Sequence, residues 1–141
     1  MSKLDLWSPR VLALLRIMTA LLFIEHATMK FFGFPAPMPG AAGPLPGIIV
    51  AAGVIELVGG TLIALGLFTR PAAFIASGTM AAAYFMAHAP QSFWPLVNQG
   101  ESAILFCFIF LFLVFAGAGS WSLDALLHGR RDAERGPATR R

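Results

Sequence analysis

Residues 48–68 read IIVAAGVIELVGGTLIALGLF, and this stretch indicates the class of the fold. Glu56 is its only charged residue. A transmembrane helix needs about 20 predominantly apolar residues, so the stretch is long enough to cross a bilayer. It stops at Thr69-Arg70-Pro71. Because proline is disfavoured inside a helix but accepted in its first turn, Pro71 marks the start of the next helix.

Three further apolar stretches surround this one. The first is separated from residues 48–68 by GFPAPMPGAAGPLPG, whose five prolines cannot continue a helix. The third ends at Pro90, and the loop QSFWPLVNQG leads to the fourth. We therefore predict an all-α protein with one domain at 1–127 and a basic, disordered cytoplasmic tail at 128–141. Its four transmembrane helices are predicted at about 11–32, 48–68, 72–89 and 101–118.

Composition supports a membrane protein. Of the 141 residues 57% are hydrophobic and 12% are charged, about half the charged fraction of an ordinary soluble domain. Eleven of the seventeen charged residues fall in 1–10 or 120–141, so the net charge of +3 does not indicate nucleic-acid binding. Cys107 is the single cysteine, which excludes an internal disulfide and a two-thiol redox pair.

The distribution of positive charge predicts the topology. With both termini cytoplasmic, eight Lys and Arg residues lie inside and only Lys30 lies outside, as the positive-inside rule requires. Trp7, Trp94 and Trp121 fall at predicted span ends, where indoles favour the interface. Arg16 interrupts the first stretch and no cleavage site follows it, so we expect an uncleaved helix rather than a signal peptide. We predict a multi-pass protein of the bacterial inner membrane.

Ionisable and polar residues concentrate in the outer half of the predicted bundle. An ionisable group in hydrocarbon costs about 2.5–3.5 kcal/mol on insertion scales, so each must turn inward and find a partner. Small residues around Glu56 place it in the interior, and we predict Arg16 as its partner. That pair is either a structural ion pair or a site for a proton or an anionic substrate. The outer-half residues are Glu25, His26, Lys30, Glu56, Tyr84, His88 and Glu101.

Helical spacing groups some of these residues. His26 and Lys30 are four residues apart on one face, and Tyr84 and His88 share a face in the same way. Glu101 opens the fourth helix, where the helix dipole favours a carboxylate. No tight His/Glu motif supports a metal or haem, so we predict no metal site. The candidate catalytic residues are Glu25, His26, Glu56, Tyr84 and His88, and the candidate cofactor-binding residues are Arg16, Lys30, Glu56 and Glu101.

Four ordered segments resemble the DoxX family of small bacterial membrane proteins. HATMKFFGF (26–34) is similar to the family's His-Gly-x-x-Lys-Leu-Phe-Gly-Phe signature, although Ala27 replaces its glycine. GAGSWSLD (117–124) is similar to its closing Gly-x-Gly-x-Trp-Ser-Leu-Asp. The other two segments are ELVGGTLIALGLFTRPAA (56–73) and FWPLVNQGESA (93–103). The resemblance covers roughly residues 10–127.

The resemblance implies a four-helix inner-membrane bundle. The family is named for a subunit of a thiosulfate:quinone oxidoreductase, and other members are linked to oxidoreductase complexes with sulfur-handling or oxidative-stress partners. With Cys107 as its only thiol, this chain would need a quinone, a bound cofactor or a partner protein for electron transfer.

Three functions follow as hypotheses. The chain is the membrane subunit of a quinone-linked oxidoreductase, a non-catalytic scaffold for a membrane or soluble redox partner, or a small-molecule transport module. Quinone is the cofactor named by the first hypothesis. The third would require a homodimer, since four helices enclose little space.

Overall fold

Helices account for all the regular structure in the described part of the chain. The computed structural model describes residues 3–40 and 43–135, and within these ranges it contains no strand. The all-α prediction is therefore confirmed. The helices are α1 (Lys3–Phe32), α2 (Gly47–Leu65), α3 (Thr69–Ala83), α4 (Pro95–Asn98), α5 (Glu101–Ala116) and α6 (Leu123–Arg135). Helix α3 continues directly into one turn of π-helix at Tyr84–His88.

Two of these helices are long and apolar enough to cross a membrane by length and composition. They are residues Leu4–Phe32 of α1 and all of α2. Helix α5 is apolar but shorter, at 16 residues.

Glycines end two helices earlier than the apolar stretches suggested. Gly66 adopts a left-handed conformation with φ 66°, and the Leu67 amide donates to the Leu62 carbonyl at 2.9 Å. This arrangement is the usual glycine C-cap of a helix, so α2 stops at Leu65 rather than at residue 68. Gly117, with φ 80°, likewise follows α5, which ends at Ala116 rather than at residue 118.

Helix α1 begins at Lys3, eight residues before the predicted start, and it includes Pro9. A proline lacks one N–H donor and disturbs only the turn before it, and here that turn is close to the helix end. The Pro9 carbonyl also accepts a hydrogen bond from the Ser120 amide at 3.1 Å. This long-range contact ties the start of α1 to the segment after α5.

Residues 128–141 were predicted to be disordered, but the structure describes residues 128–135 as part of helix α6. The Ser122 hydroxyl accepts the Ala125 amide at 3.2 Å in the first turn of α6, as an N-cap side chain does. The His128 ring Nδ1 lies 2.6 Å from the Asp124 carbonyl one turn earlier. Residues 136–141 lie outside the described ranges.

Helices α1, α2, α3 and α5 contact one another as antiparallel neighbours. Helix α1 packs along α2, α2 along α3, α3 along α5, and α5 back against α1. The centre is aromatic, with the Phe23 ring 4.8 Å from Phe110 and 5.7 Å from Phe106. Phe106 and Phe110 come from the apolar run ILFCFIFLFLVF (104–115), so only part of that run faces outward.

Large apolar side chains cover the outside of these helices, and small residues occupy much of the inside. Small residues dominate the buried positions, among them Ala13, Ala20, Ala27, Ala72, Ala73, Ala76 and Ala103. Large apolar side chains point outward, including Leu14, Met18, Leu22, Val58, Leu105, Phe108 and Phe115. Small residues between helices and large apolar residues outside are the pattern of helices that associate in lipid.

Candidate functional site

Lys30 and Glu56 form an ion pair between α1 and α2. The Lys30 ammonium lies 2.7 Å from Glu56 Oε1 and 2.6 Å from Oε2. Glu56 is only 2% exposed, which confirms that this carboxylate faces the interior. The pair therefore joins two helices through a charge-assisted contact that water hardly reaches.

Arg16 is not the partner of Glu56, so that prediction is wrong. Its buried guanidinium donates to the carbonyls of Ile63 and Ala64, both at 2.6 Å, to Ala118 at 2.8 Å and to Trp121 at 2.9 Å. Helix C-terminal carbonyls lack partners within the helix and carry partial negative charge. Arg16 satisfies those at the end of α2 and joins them to the segment after α5.

The register of α1 against α2 explains why Lys30 replaces Arg16. A β-carbon at Gly60 would lie 3.4 Å from the Ala20 carbonyl oxygen and 2.6 Å from Ile24 Cγ1. Residues 20–24 of α1 therefore lie beside Gly60 of α2, and Lys30 lies beside Glu56. Arg16 lies one turn before Ala20 on α1 and therefore reaches the C-terminal end of α2 instead.

This register also places the ion pair near the middle of α2. Glu56 is the central residue of Gly47–Leu65, about 14 Å from either end at 1.5 Å per residue. A β-carbon at Gly53 would lie 2.6 Å from the Phe31 ring, so the end of α1 falls well inside the length of α2. The ion pair therefore joins the last turn of α1 to the middle of α2.

The other candidates on α1 diverge. The His26 ring is half-buried and lies 5.6 Å from Phe106 in an edge-on contact. The Lys30 ammonium is also 3.4 Å from the His26 backbone carbonyl, so these two residues share one face as predicted. Glu25 is exposed on the outer surface of the helix and does not join them.

Tyr84 and His88 belong to a second group, at the turn between α3 and α5. Their rings are nearly parallel with centroids 6.4 Å apart, and His88 Nδ1 lies 2.9 Å from the Asn98 carbonyl oxygen. The buried Asn98 side chain donates to the Ser92 carbonyl at 2.8 Å and accepts the Gly100 amide at 2.7 Å. These bonds fix the loop that leads into α5.

Apart from Arg16, the candidates form two separate groups, and the two remaining carboxylates, Glu25 and Glu101, are exposed. His26, Lys30 and Glu56 lie together between α1 and α2, whereas Tyr84 and His88 lie beside the loop before α5. Glu101 begins α5, as predicted, and is exposed. Within the described ranges no three His, Cys, Asp or Glu side chains are close enough to hold a metal ion.

Two further charged residues hold the opposite end of the helices together, and the site prediction omitted both. The Asp124 carboxylate accepts the Phe68 and Thr69 amides, each at 2.9 Å, and so caps the start of α3. Arg70 donates to the carbonyls of Val114 at 2.7 Å and Phe115 at 2.9 Å at the end of α5. In the sequence, Arg70 marked the stop before the third helix and Asp124 closed a family-like segment, and neither position indicated these contacts.

The surroundings of Asp124 stabilise its ionised form. Its partial burial would raise the pKa of the carboxyl, but the hydrogen bonds from the Thr69 and Phe68 amides and the nearby His128 outweigh that effect. The pKa of Asp124 is therefore lowered below its ordinary value.

An apolar crevice opens on the outer surface between α3 and α5. Its volume is about 400 Å³, and Met80, Tyr84, Ile104 and Cys107 contribute to its walls. Cys107 contacts the Ser77 hydroxyl at 3.6 Å through sulfur. A crevice of this size could hold part of an apolar ligand.

Comparison with known proteins gives the family. The DoxX family model matches residues 11–89. An uncharacterized protein of Haemophilus influenzae is 48% identical over 128 residues, which is 88% of this chain and 96% of that protein. An uncharacterized membrane protein of Mycobacterium tuberculosis is 28% identical over 135 residues, covering 84% of this chain and 82% of that protein. No solved structure matches the chain significantly. The apolar exterior, the apolar helices and these similarities identify the chain as a membrane protein that belongs to the DoxX family.

Proposed function

We propose that the chain is a multi-pass protein of the bacterial inner membrane. In this arrangement α1, α2, α3 and α5 cross the bilayer as a four-helix bundle, and both termini are cytoplasmic. The large apolar side chains on the outer surface support this placement. The positive charges of the two terminal segments support the orientation.

Within the membrane we propose that the chain anchors and assembles a redox partner and does not carry out the chemical step itself. The engagement of its buried charges in structural contacts is the observation that carries this proposal. Arg16 is bonded to backbone carbonyls, and Glu56 is bonded to Lys30. A group held in this way is poorly placed to bind substrate or transfer a proton.

The anchoring role can be tested with a tagged chain solubilised gently from native membranes. We expect a defined partner to co-purify in constant stoichiometry. Glu56→Gln should lower the recovery of that partner by loosening α1 from α2, while any turnover per recovered complex stays at the wild-type value. Glu101→Gln, at an exposed carboxylate, serves as the control.

A fall in turnover per complex in Glu56→Gln, with partner recovery unchanged, would contradict the anchoring role. It would show that the carboxylate takes part in a chemical step.

Quinone binding is the second candidate function, and the crevice between α3 and α5 favours it. The crevice opens on the surface that would face lipid, from which a quinone could enter. Its walls include the Tyr84 ring and apolar side chains. On this hypothesis the chain is the quinone-binding membrane subunit of an oxidoreductase.

A photoreactive quinone analogue tests this second function. We expect it to label α3 and α5 in the wild type, and Ala81→Phe should abolish labelling by filling the crevice. Ala82→Phe is the matched control, since Ala82 is exposed and does not line the crevice. Equal labelling of both variants would exclude this site.

The packing of the described helices gives the transport hypothesis no comparable support. Phe23, Phe106 and Phe110 fill the centre between α1 and α5. A permeation path would have to displace these rings.

A further inference from the structure

Glu25 lies in the middle of an apolar helix surface. On the same face of α1, one turn before it, Leu21 and Leu22 are exposed, and Met18 and Phe32 extend the exposed apolar stripe in both directions. The Glu25 side chain is exposed as well. It is the one ionisable side chain on this stretch of the stripe, residues 18–32.

The depth of Glu25 makes its exposure unusual. The contacts of Ile24 with Gly60 and of Lys30 with Glu56 place Glu25 between the levels of these two α2 residues. The neighbouring His26 contacts Phe106, which lies five residues after the start of α5, so Glu25 is close to that level of α5. Glu25 is thus level with the middle of α2 and with the second turn of α5, inside the proposed membrane spans, where a lipid-exposed carboxylate is costly.

No hydrogen bond or ion pair within residues 3–40 and 43–135 engages the Glu25 carboxylate. The neighbouring His26 interacts with it only electrostatically, and Lys30 is committed to Glu56. His26 turns about 100° away along the helix and packs against Phe106. Thr28 donates to the Glu25 backbone carbonyl and not to its side chain.

We infer that Glu25 marks a docking surface for a transmembrane helix of a partner protein that carries a Lys, Arg or His side chain at the same depth. The apolar stripe of α1 would pack against that helix, and the opposite charges would neutralise each other away from water. A second copy of this chain is a poor occupant. A two-fold contact through α1 would bring two Glu25 carboxylates together, and like charges repel.

This inference rests on the proposal that α1 crosses the bilayer, and it can be tested without knowing the natural partner. The probe is a synthetic Leu/Ala helix of about 20 residues with one central Lys, reconstituted with the full chain in phosphatidylcholine vesicles. Energy transfer between fluorophores on the two molecules measures their association. A peptide with Leu in place of the Lys is the control probe.

We expect the Lys peptide to bind the wild-type chain roughly tenfold more tightly than the Leu peptide. Glu25→Gln should abolish the difference, whereas Glu101→Gln should preserve it. Glu25→Lys should reverse the preference, so that a peptide with a central Asp binds more tightly than the Lys peptide. This result would show that the variant is correctly inserted and still selects its partner by charge.

Two results would overturn the inference. One is equal binding of the Lys and Leu peptides to the wild type. The other is self-association of labelled wild-type chains through α1 that is lost in Glu25→Gln, because the occupant would then be a second copy. Extraction of the chain from the vesicles at alkaline pH would instead refute the proposed membrane placement, and the inference would fall with it.

Discussion

The Lys30 ammonium is shared between both carboxylate oxygens of Glu56, at 2.7 and 2.6 Å, near the midpoint of α2. The two partners differ in their access to water, since Glu56 is buried and the Lys30 side chain is 13% exposed. A long lysine side chain can move its charge towards water, whereas a short buried carboxylate cannot. The two halves of this pair therefore have unequal roles in stability.

This asymmetry predicts unequal effects of removing either partner. Lys30→Met should lower the free energy of unfolding by about 3 kcal/mol or more, because it leaves a buried carboxylate uncompensated. Glu56→Gln should cost less, since the freed ammonium can reach water. Thermal unfolding in detergent measures both variants. The double variant should be more stable than Lys30→Met alone, and an equal or larger loss would contradict this account.

Arg16 should tolerate no conservative replacement. Arg16→Lys keeps the charge but replaces a planar group of five donors with three donors on one nitrogen. Some of the carbonyls of Ile63, Ala64, Ala118 and Trp121 would lose their partner, and each unsatisfied buried group costs about 1–3 kcal/mol. We expect a clear drop in the unfolding temperature.

Arg10→Lys is the control for this substitution. Arg10 is exposed, donates one long hydrogen bond of 3.4 Å to the Leu6 carbonyl, and lies over the Trp7 ring at 5.1 Å from its centroid. Lysine can make the same cation–π contact. A drop as large for Arg10→Lys as for Arg16→Lys would show that the carbonyl contacts are not the cause.

Gly66 should resist substitution for two reasons. Its φ of 66° disfavours any side chain, and a β-carbon there would collide with Ser122 and come within 2.9 Å of Arg16 Nη1. Gly66→Ala should destabilise the fold by about 2 kcal/mol or more. Thermal unfolding compares it with Gly78→Ala, where no atom lies within 4 Å and helix propensity favours alanine. Equal losses would contradict the steric argument.

Asp124 should make the stability of the protein depend on pH in the acidic range. The pKa of its carboxyl is lowered in the folded state, so its ionised form contributes stability above the ordinary pKa of an aspartate. That contribution is lost as the pH falls through the lowered value. The difference in unfolding temperature between wild type and Asp124→Asn should be greatest near neutral pH and should shrink in acid. A constant difference from neutral pH to pH 3 would refute this role.

Much of the architecture could be predicted from the chain alone. Apolar stretches and the prolines and glycines between them are local properties, so they located the four long helices to within a few residues, except at the start of α1. The burial of Glu56 also followed locally, since its small neighbours Gly53 and Gly60 permit close helix contact. The family was predicted from ordered segments and is confirmed by the family model.

The partners of the charged residues were decided only by tertiary structure. Whether Glu56 meets Arg16 or Lys30 depends on how far α1 slides along α2, and a shift of a few residues changes the partner without changing the helical pattern of either segment. Likewise, Asp124 reaches the start of α3 from 55 residues away. The amino-acid sequence by itself determined the helices and their apolar character, because these depend on neighbouring residues. The register between helices determined which charges meet and which, like Glu25, remain on the surface, because packing between segments distant in sequence sets that register.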